Sequence, residues 1–268
     1  MRETEKLAIN FRAKVIEMSH TAKTAHLASS LSCIDIIAVL YGQILNINSN
    51  NLLSADRDRF ILSKGHAAAA LYVALVHKKI LNESDLDTYG QVGSLLEEHP
   101  SPKLPGVEAA TGSLGHGLPF GCGIALAGRI RGLDYRTFIL MSDGECNEGS
   151  VWEAAMFAAG KRLGSLCALV DFNKWQATGR SREVLALDPL IDKFSSFGWK
   201  VHEIDGHDHE QITNAVSGVT VDNEKPTMVI AHTVKGKGVS FMEDDNNWHY
   251  RVPTSEEVLA AKVELGGV

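Results

Sequence analysis

The sequence predicts an α/β protein, a doubly wound, mostly parallel sheet with helices on both faces. Three observations carry that expectation. Strand-length runs alternate with runs of helical period along the chain, the order that parallel strands joined by crossover helices require. The strand runs, among them TFILMS (137–142) and TMVIAHT (227–233), are continuously apolar instead of alternating, which marks a sheet covered on both faces. The 268 residues are 44% hydrophobic and 22% charged, an ordinary globular composition with enough chain for one large domain. With neither repeat nor linker in view, residues 1–268 are expected to form a single domain.

The elements follow in order. Leu7, Phe11, Val15 and Met18 recur at helical spacing, and Ile34, Ile37, Ala38 and Tyr41 continue the period in a second helix after His26. RDRFILS (57–63) is a strand, and Gly65-His66 opens an Ala-rich helix. Residues 82–110 are rich in Pro, Gly and acid without periodicity and are expected to form a long functional loop. The turn Gly112–Gly117 leads into the small-residue helix FGCGIALAGRI. Strand 137–142, helix VWEAAMFAAGKRLG and strand 167–173 come next. Helix 188–197, strand 199–204, a helix after Asp208 and strand 227–233 complete the alternation.

Charge and cysteines exclude several functions. Twenty-six Lys and Arg against 33 Asp and Glu give a net charge of -7 with no basic block, which argues against a nucleic-acid partner. Cys33, Cys122, Cys146 and Cys167 share no CxxC spacing, so they read as core residues in a reducing compartment. The N-terminus is charged from its second residue, and the run CIDIIAVLYGQIL is interrupted by Asp35, so neither a secretory leader nor a membrane span is expected. A soluble cytoplasmic protein is the expectation.

Open parallel sheets bind ligands beyond the carboxyl ends of their strands, at helix N-termini. Those positions hold His66, Gly112–Gly117, Asp143-Gly144, Asn173 and Lys235–Gly238. One hard carboxylate, an amide oxygen, several glycines and a few cationic or neutral donors suit a diphosphate bridged by a divalent metal. The sequence has no GxGxxG, GxxxxGK[ST], HExxH or GxSxG, so dinucleotide, P-loop, zinc-protease and serine-hydrolase chemistry lose their main support.

Asp143-Gly144 and Asn173 lie 30 positions apart (173 − 143). This resembles the GDG-to-N motif of thiamine-diphosphate enzymes, with Ser142 in place of the opening glycine. RDRFILSKGHAAAALY, HPSPKLPGVEAATGSLGHGL, SDGECNEGSVWEAAMFA and TVKGKG, with Trp248-His249 beyond, resemble transketolase in order and spacing. The match covers the first of that family's three domains. It implies the thiamine-diphosphate-binding fold and the N-terminal subunit of a split transketolase, moving a two-carbon ketol unit from a ketose phosphate to an aldose phosphate.

By that resemblance, Asp143 and Asn173 ligate Mg²⁺ (Ca²⁺ or Mn²⁺ can substitute) through side chains, and Trp175 through its carbonyl. The Gly144 N–H, His66, His249 and Lys235 hold the diphosphate. Gly112 and Leu114 lie against the cofactor rings, with Ser29 nearby. His26, His66, His99 and His249 line the substrate channel. Glu148 couples two cofactor sites through a carboxylate network at a subunit interface. His116 stands where Gln is common, and Tyr250-Arg251 follows His249 where Gly is frequent. His20, His77, His202, His207, His209 and His232 match no family role and read as surface or structural. The glutamate that activates the cofactor belongs to the family's second, pyrimidine-binding domain, so a C-terminal partner subunit is expected, most simply as α2β2. Two alternatives remain open: a split transketolase for a modified sugar such as apulose phosphate or sulfofructose, and a non-catalytic thiamine-diphosphate-binding protein.

Overall fold

In the computed structural model, which describes residues 1–267, five parallel strands form one sheet in the order β1-β2-β3-β5-β4. They are β1 (Arg59–Leu62), β2 (Thr137–Ser142), β3 (Leu166–Phe172), β4 (Lys200–Asp205) and β5 (Thr227–His232). Consecutive side chains point to opposite faces of a strand, and each face is buried in its own core. Phe138 and Leu140 of β2 pack into a core shared with α1 (Glu3–Ala22), α3 (Ile34–Val39) and α4 (Ala68–His77). Ile139 and Met141 pack with α5 (Gly117–Arg131) and α6 (Gly149–Gly160) on the other side. The continuous apolar runs are therefore explained by two covered faces, as expected for a doubly wound sheet.

The segment after His26 departs from the single helix that its periodicity predicts. It breaks at Cys33 into α2 (Leu27–Ser32) and α3, followed by a π-turn over Leu40–Ile44. The cause is local competition for carbonyls: Ser32 Oγ donates to the Ser29 carbonyl at 3.0 Å, and Lys64 Nζ donates to the same oxygen at 2.8 Å. The expected loop over 82–110 is irregular apart from a short 3₁₀ turn at Glu83–Thr88. The alternation predicted from 188 to 233 is present as α8 (Leu190–Ser196), β4, α9 (His209–Ser217) and β5. Two further helices, α7 (Ser181–Val184) and α10 (Ser255–Glu264), lie outside the predicted elements. The start of α10 has a legible signal, a capping box in which Thr254 accepts from Glu257 N–H and Glu257 accepts from Thr254 N–H at 2.9 Å. All four cysteines are buried free thiols, as core packing predicts. Among the described residues no helix is long and apolar enough to cross a membrane.

Candidate functional site

Ser142 pairs with Asp171 in the parallel ladder of β2 and β3, so the chain leaves both strands side by side and brings Asp143 close to Asn173. Ser142 is a strand residue without positive φ, so this position does not require the glycine of the resembling motif. Asp143 is fully buried. Its Oδ1 accepts from Gly144 N–H, and its Oδ2 accepts from Lys174 N–H and the Ser181 hydroxyl, all at 2.8 Å. Gly144 N–H, which the resemblance assigns to a diphosphate, is thus turned onto Asp143 here. Among the described residues Asp143 forms no ion pair, and burial pushes its carboxyl up to about 6.

Asn173 Nδ2 donates to Asp171 Oδ2 at 3.3 Å, and its Oδ1 accepts Trp175 N–H at 3.0 Å. The Trp175 ring is held at the rim, with the Arg180 guanidinium 3.7 Å from its centroid and its Nε1 donating to Asp244 at 2.8 Å. No three His, Cys, Asp or Glu side chains among the described residues are grouped to hold a metal. A cation here would depend on Asp143, the Asn173 oxygen, a backbone carbonyl and oxygens of the ligand, a hard-oxygen set that suits Mg²⁺ or Ca²⁺. A desolvated carboxylate without an ion-pair partner among the described residues fits that role.

Beneath these residues sits a fully buried ion pair that sequence reasoning missed. Lys64 and Asp171 are both inaccessible and hydrogen-bonded to each other. Asp171 also accepts from Ser32 Oγ at 2.6 Å and from the Thr233 hydroxyl. Burial opposes both charges, but each is held by the other, so the Lys64 amine is raised and the Asp171 carboxyl lowered. Ser29 lies over this pair, its carbonyl bound to Lys64 and its side chain buried.

Four histidines converge around His26. The His26 ring centroid lies 5.4 Å from that of His66, 6.2 Å from His99 and 5.0 Å from His249. His26 occupies the left-handed region at φ 66, tied by its N–H to the His249 carbonyl at 2.8 Å, and its Nδ1 is buried without a partner. Burial, then the charges of its neighbours, lowers His26 to about 4 and His249 to about 3, and lowers His66 well below its ordinary value. These imidazoles are therefore neutral near pH 7. Each can offer one N–H and one lone pair, which suits binding hydroxyls and passing protons.

Lys235 belongs to this group and is no solvated turn tip: it is 1% exposed, and its Nζ donates to His249 Nδ1 at 2.9 Å and Asn246 Oδ1 at 2.7 Å. Tyr250, which follows His249 in place of the family's frequent glycine, is 63% exposed and lies at the rim, 4.6 Å from the His249 ring and 5.9 Å from the His26 ring.

The Gly112–Gly117 turn borders the same space. At φ +129 Gly112 admits no side chain, since a Cβ there would stand 2.3 Å from His99 Cδ2. Leu114 is half-buried in this turn. Glu145, a second buried carboxylate that sequence reasoning missed, accepts from Gly115 N–H at 2.8 Å and from the Ser63 hydroxyl, fixing the turn to β2. Glu148 follows it but is exposed at the head of α6 and does not join the buried groups. His116, at the head of α5, is exposed as well.

Residues 4–267 match the family model described as "Transketolase, thiamine diphosphate binding domain". The chain belongs to the transketolase family. Over 254 residues it is 41% identical to one of the subunits of the apulose-4-phosphate transketolase of Phocaeicola vulgatus, covering 95% of this chain and 90% of that protein. It is 41% identical over 241 residues to the 6-deoxy-6-sulfo-D-fructose transketolase subunit SqwG of a Clostridium species, covering 90% and 88%. Its structure superimposes on the transketolase of Campylobacter jejuni with a TM-score of 0.92 at 28% identity, covering 99% of this chain and 43% of that one. The transketolase of Leishmania mexicana gives 0.90 at 28% identity, covering 99% and 42%. The chain thus spans less than half of these solved transketolases and nearly the full length of the two relatives that are themselves single subunits.

Proposed function

We propose that this transketolase-family chain is the diphosphate-binding subunit of a split, thiamine-diphosphate-dependent transketolase. The observation that carries this reading is the gathering of two sets of groups where the chain leaves the sheet: Asp143 and Asn173 after β2 and β3, and Lys235 after β5 with His249, His26 and His66 around it. Asp143, Asn173 and the Trp175 carbonyl would hold Mg²⁺. Lys235, His66 and His249 would take the diphosphate oxygens, with the N–H of Gly144 released from Asp143. The bound thiamine would supply the electron sink for breaking and making the carbon–carbon bond. His26, His66, His99 and His249 would hold ketose hydroxyls and move their protons, and the lowered imidazoles of His26, His66 and His249, being neutral, can both donate and accept.

Activity is proposed to require a C-terminal subunit carrying the pyrimidine-binding domain and its activating glutamate, in an α2β2 assembly in the cytoplasm. In support, α5 and α6 expose the large apolar side chains Phe120, Ile130, Met156 and Phe157, exposure of the kind that contact between subunits covers. The relatives named for apulose 4-phosphate and sulfofructose favour a modified sugar as the second reading of substrate, and Tyr250 stands where it would meet one. Four retained channel histidines weigh against a non-catalytic binder. Co-expression with the neighbouring gene's product, followed by thiamine-diphosphate-dependent ketol-transfer assays across a panel of ketose phosphates and sulfonates, tests this. No transfer from any donor would overturn it.

A further inference from the structure

Behind the Lys235 loop lies a buried cluster that none of the proposed roles uses. Asp35, on α3, is 5% exposed and receives four hydrogen bonds. Arg12 of α1 donates to both of its oxygens, His207 Nδ1 lies 2.7 Å from Oδ2, and His209 Nε2 lies 3.0 Å from Oδ1. Burial alone would raise this carboxyl, but the hydrogen bonds from His207 and His209 and the Arg12 guanidinium outweigh it and hold it well below the usual carboxylate range. An ionised Asp35 can only accept, so His207 carries a proton on Nδ1, and the backbone N–H aimed at its Nε2 requires that nitrogen to be bare.

That bare nitrogen has one partner. Val234 N–H donates to His207 Nε2 at 2.9 Å, immediately before Lys235. The same cluster grips the far side of the loop, where Arg12 Nε donates to the Lys237 carbonyl at 2.9 Å. Gly238, at φ +98, leaves room for this side chain, since a Cβ there would stand 2.7 Å from Arg12 Cδ. Between the two anchors Gly236 N–H donates to the Ala28 carbonyl at 3.0 Å. The loop is thus tied on both sides of Lys235 by one carboxylate-centred network, while Lys235 itself reaches inward to His249.

We infer that His207, oriented by Asp35, is a positioning residue that sets the Lys235 amine for the diphosphate. The inference rests on the reading that Lys235 binds that group. Two substitutions separate the ring nitrogens by chemistry. In His207→Gln a side-chain carbonyl reaches about as far as Nε2 and accepts from Val234 N–H. In His207→Asn the shorter amide reaches Asp35 and leaves Val234 N–H without its acceptor.

The test is calorimetric titration of the full chain with thiamine diphosphate and Mg²⁺, beside the melting temperature without ligand. Lys235→Ala is expected to weaken binding about tenfold, the scale of one charge-assisted contact. His207→Asn is expected to weaken it by about five- to tenfold and His207→Gln by no more than about twofold. In the double variant Lys235→Ala/His207→Asn the losses should not multiply, because one acts through the other. Multiplying losses, or unchanged affinity in His207→Asn where Lys235→Ala loses it, would overturn the positioning role alone. Unchanged affinity in Lys235→Ala would remove the reading beneath it as well. On the unaltered chain, long-range ¹⁵N–¹H spectra should show His207 protonated at Nδ1 and bare at Nε2. A proton on Nε2 at neutral pH contradicts the inference whatever the variants do.

Discussion

Lys235 Nζ donates to His249 Nδ1 at 2.9 Å, and this bond exists only while that nitrogen keeps its lone pair. The lysine's charge disfavours protonation of the imidazole. Burial, followed by the lysine's charge, takes His249 to about 3, while burial and the charge of Lys64 take Lys235 to about 8. Lys235→Met removes the nearby charge, so the His249 titration measured by NMR should move upward toward its ordinary value of 6.5. An unmoved His249 would mean that the lysine's charge does not set it.

The amine itself should leave a mark on ligand binding. With Lys235 charged below about 8 and neutral above, diphosphate affinity measured by titration should be flat from pH 7 to 7.5 and fall as pH rises beyond 8. Lys235→Arg, whose charge persists, should remove that alkaline decline.

Asp143 makes a prediction of opposite sign for acid. Its carboxyl moves from 3.8 to about 6 on burial, so between those values the native, metal-free protein holds more protons than the unfolded chain. Stability therefore falls as pH rises through that window, and above it the desolvated charge stays in place. The rise in melting temperature caused by Mg²⁺ with thiamine diphosphate should accordingly be greater at pH 7.5 than at pH 5. The lowered histidines titrate in the acid range too, so the comparison is made against Asp143→Asn, which shares them and should lose the pH-dependent part. Equal shifts in both proteins would remove Asp143 from the metal site.

How much of this was legible in the sequence depends on the type of residue. The sheet was readable because its strands are continuously apolar, and the positions of Asp143 and Asn173 because each follows directly on such a strand. Asp171 and Lys64 were not: inside β3 an aspartate looks like an interruption of an apolar run, and its partner is 107 residues away. Cys33 hid the break between α2 and α3, because serine hydroxyls and Lys64 compete for the carbonyls there, and helical period says nothing of that. His207 and His209 carried no local sign, since their meaning comes from Asp35 on a distant helix.

The buried pair beneath the site can be tested by stability alone. Asp171→Leu leaves Lys64 charged and inaccessible and should cost about 3–5 kcal/mol in urea unfolding, while the double variant Lys64→Met/Asp171→Leu should cost distinctly less. A double variant as unstable as the single one would show that packing dominates over charge.

Gly112→Ala should act through His99. The new Cβ would stand 2.3 Å from His99 Cδ2 at φ +129, so the turn or the imidazole must move. A stability loss of about 1–3 kcal/mol is expected. The same substitution should also slow ketol transfer in the assembled enzyme, whereas Gly123→Ala, with nothing within 4 Å of its Cβ, should leave the rate unchanged.

We propose, centrally, that this transketolase-family chain supplies the diphosphate half of a shared active site. The most direct measurement is ketol transfer by the purified chain with Mg²⁺ and thiamine diphosphate, first alone and then with the co-expressed C-terminal subunit. No turnover is expected from the chain alone and thiamine-dependent turnover is expected from the pair, abolished by Asp143→Ala. Full activity from the single chain, or activity in the pair that survives Asp143→Ala, would contradict it.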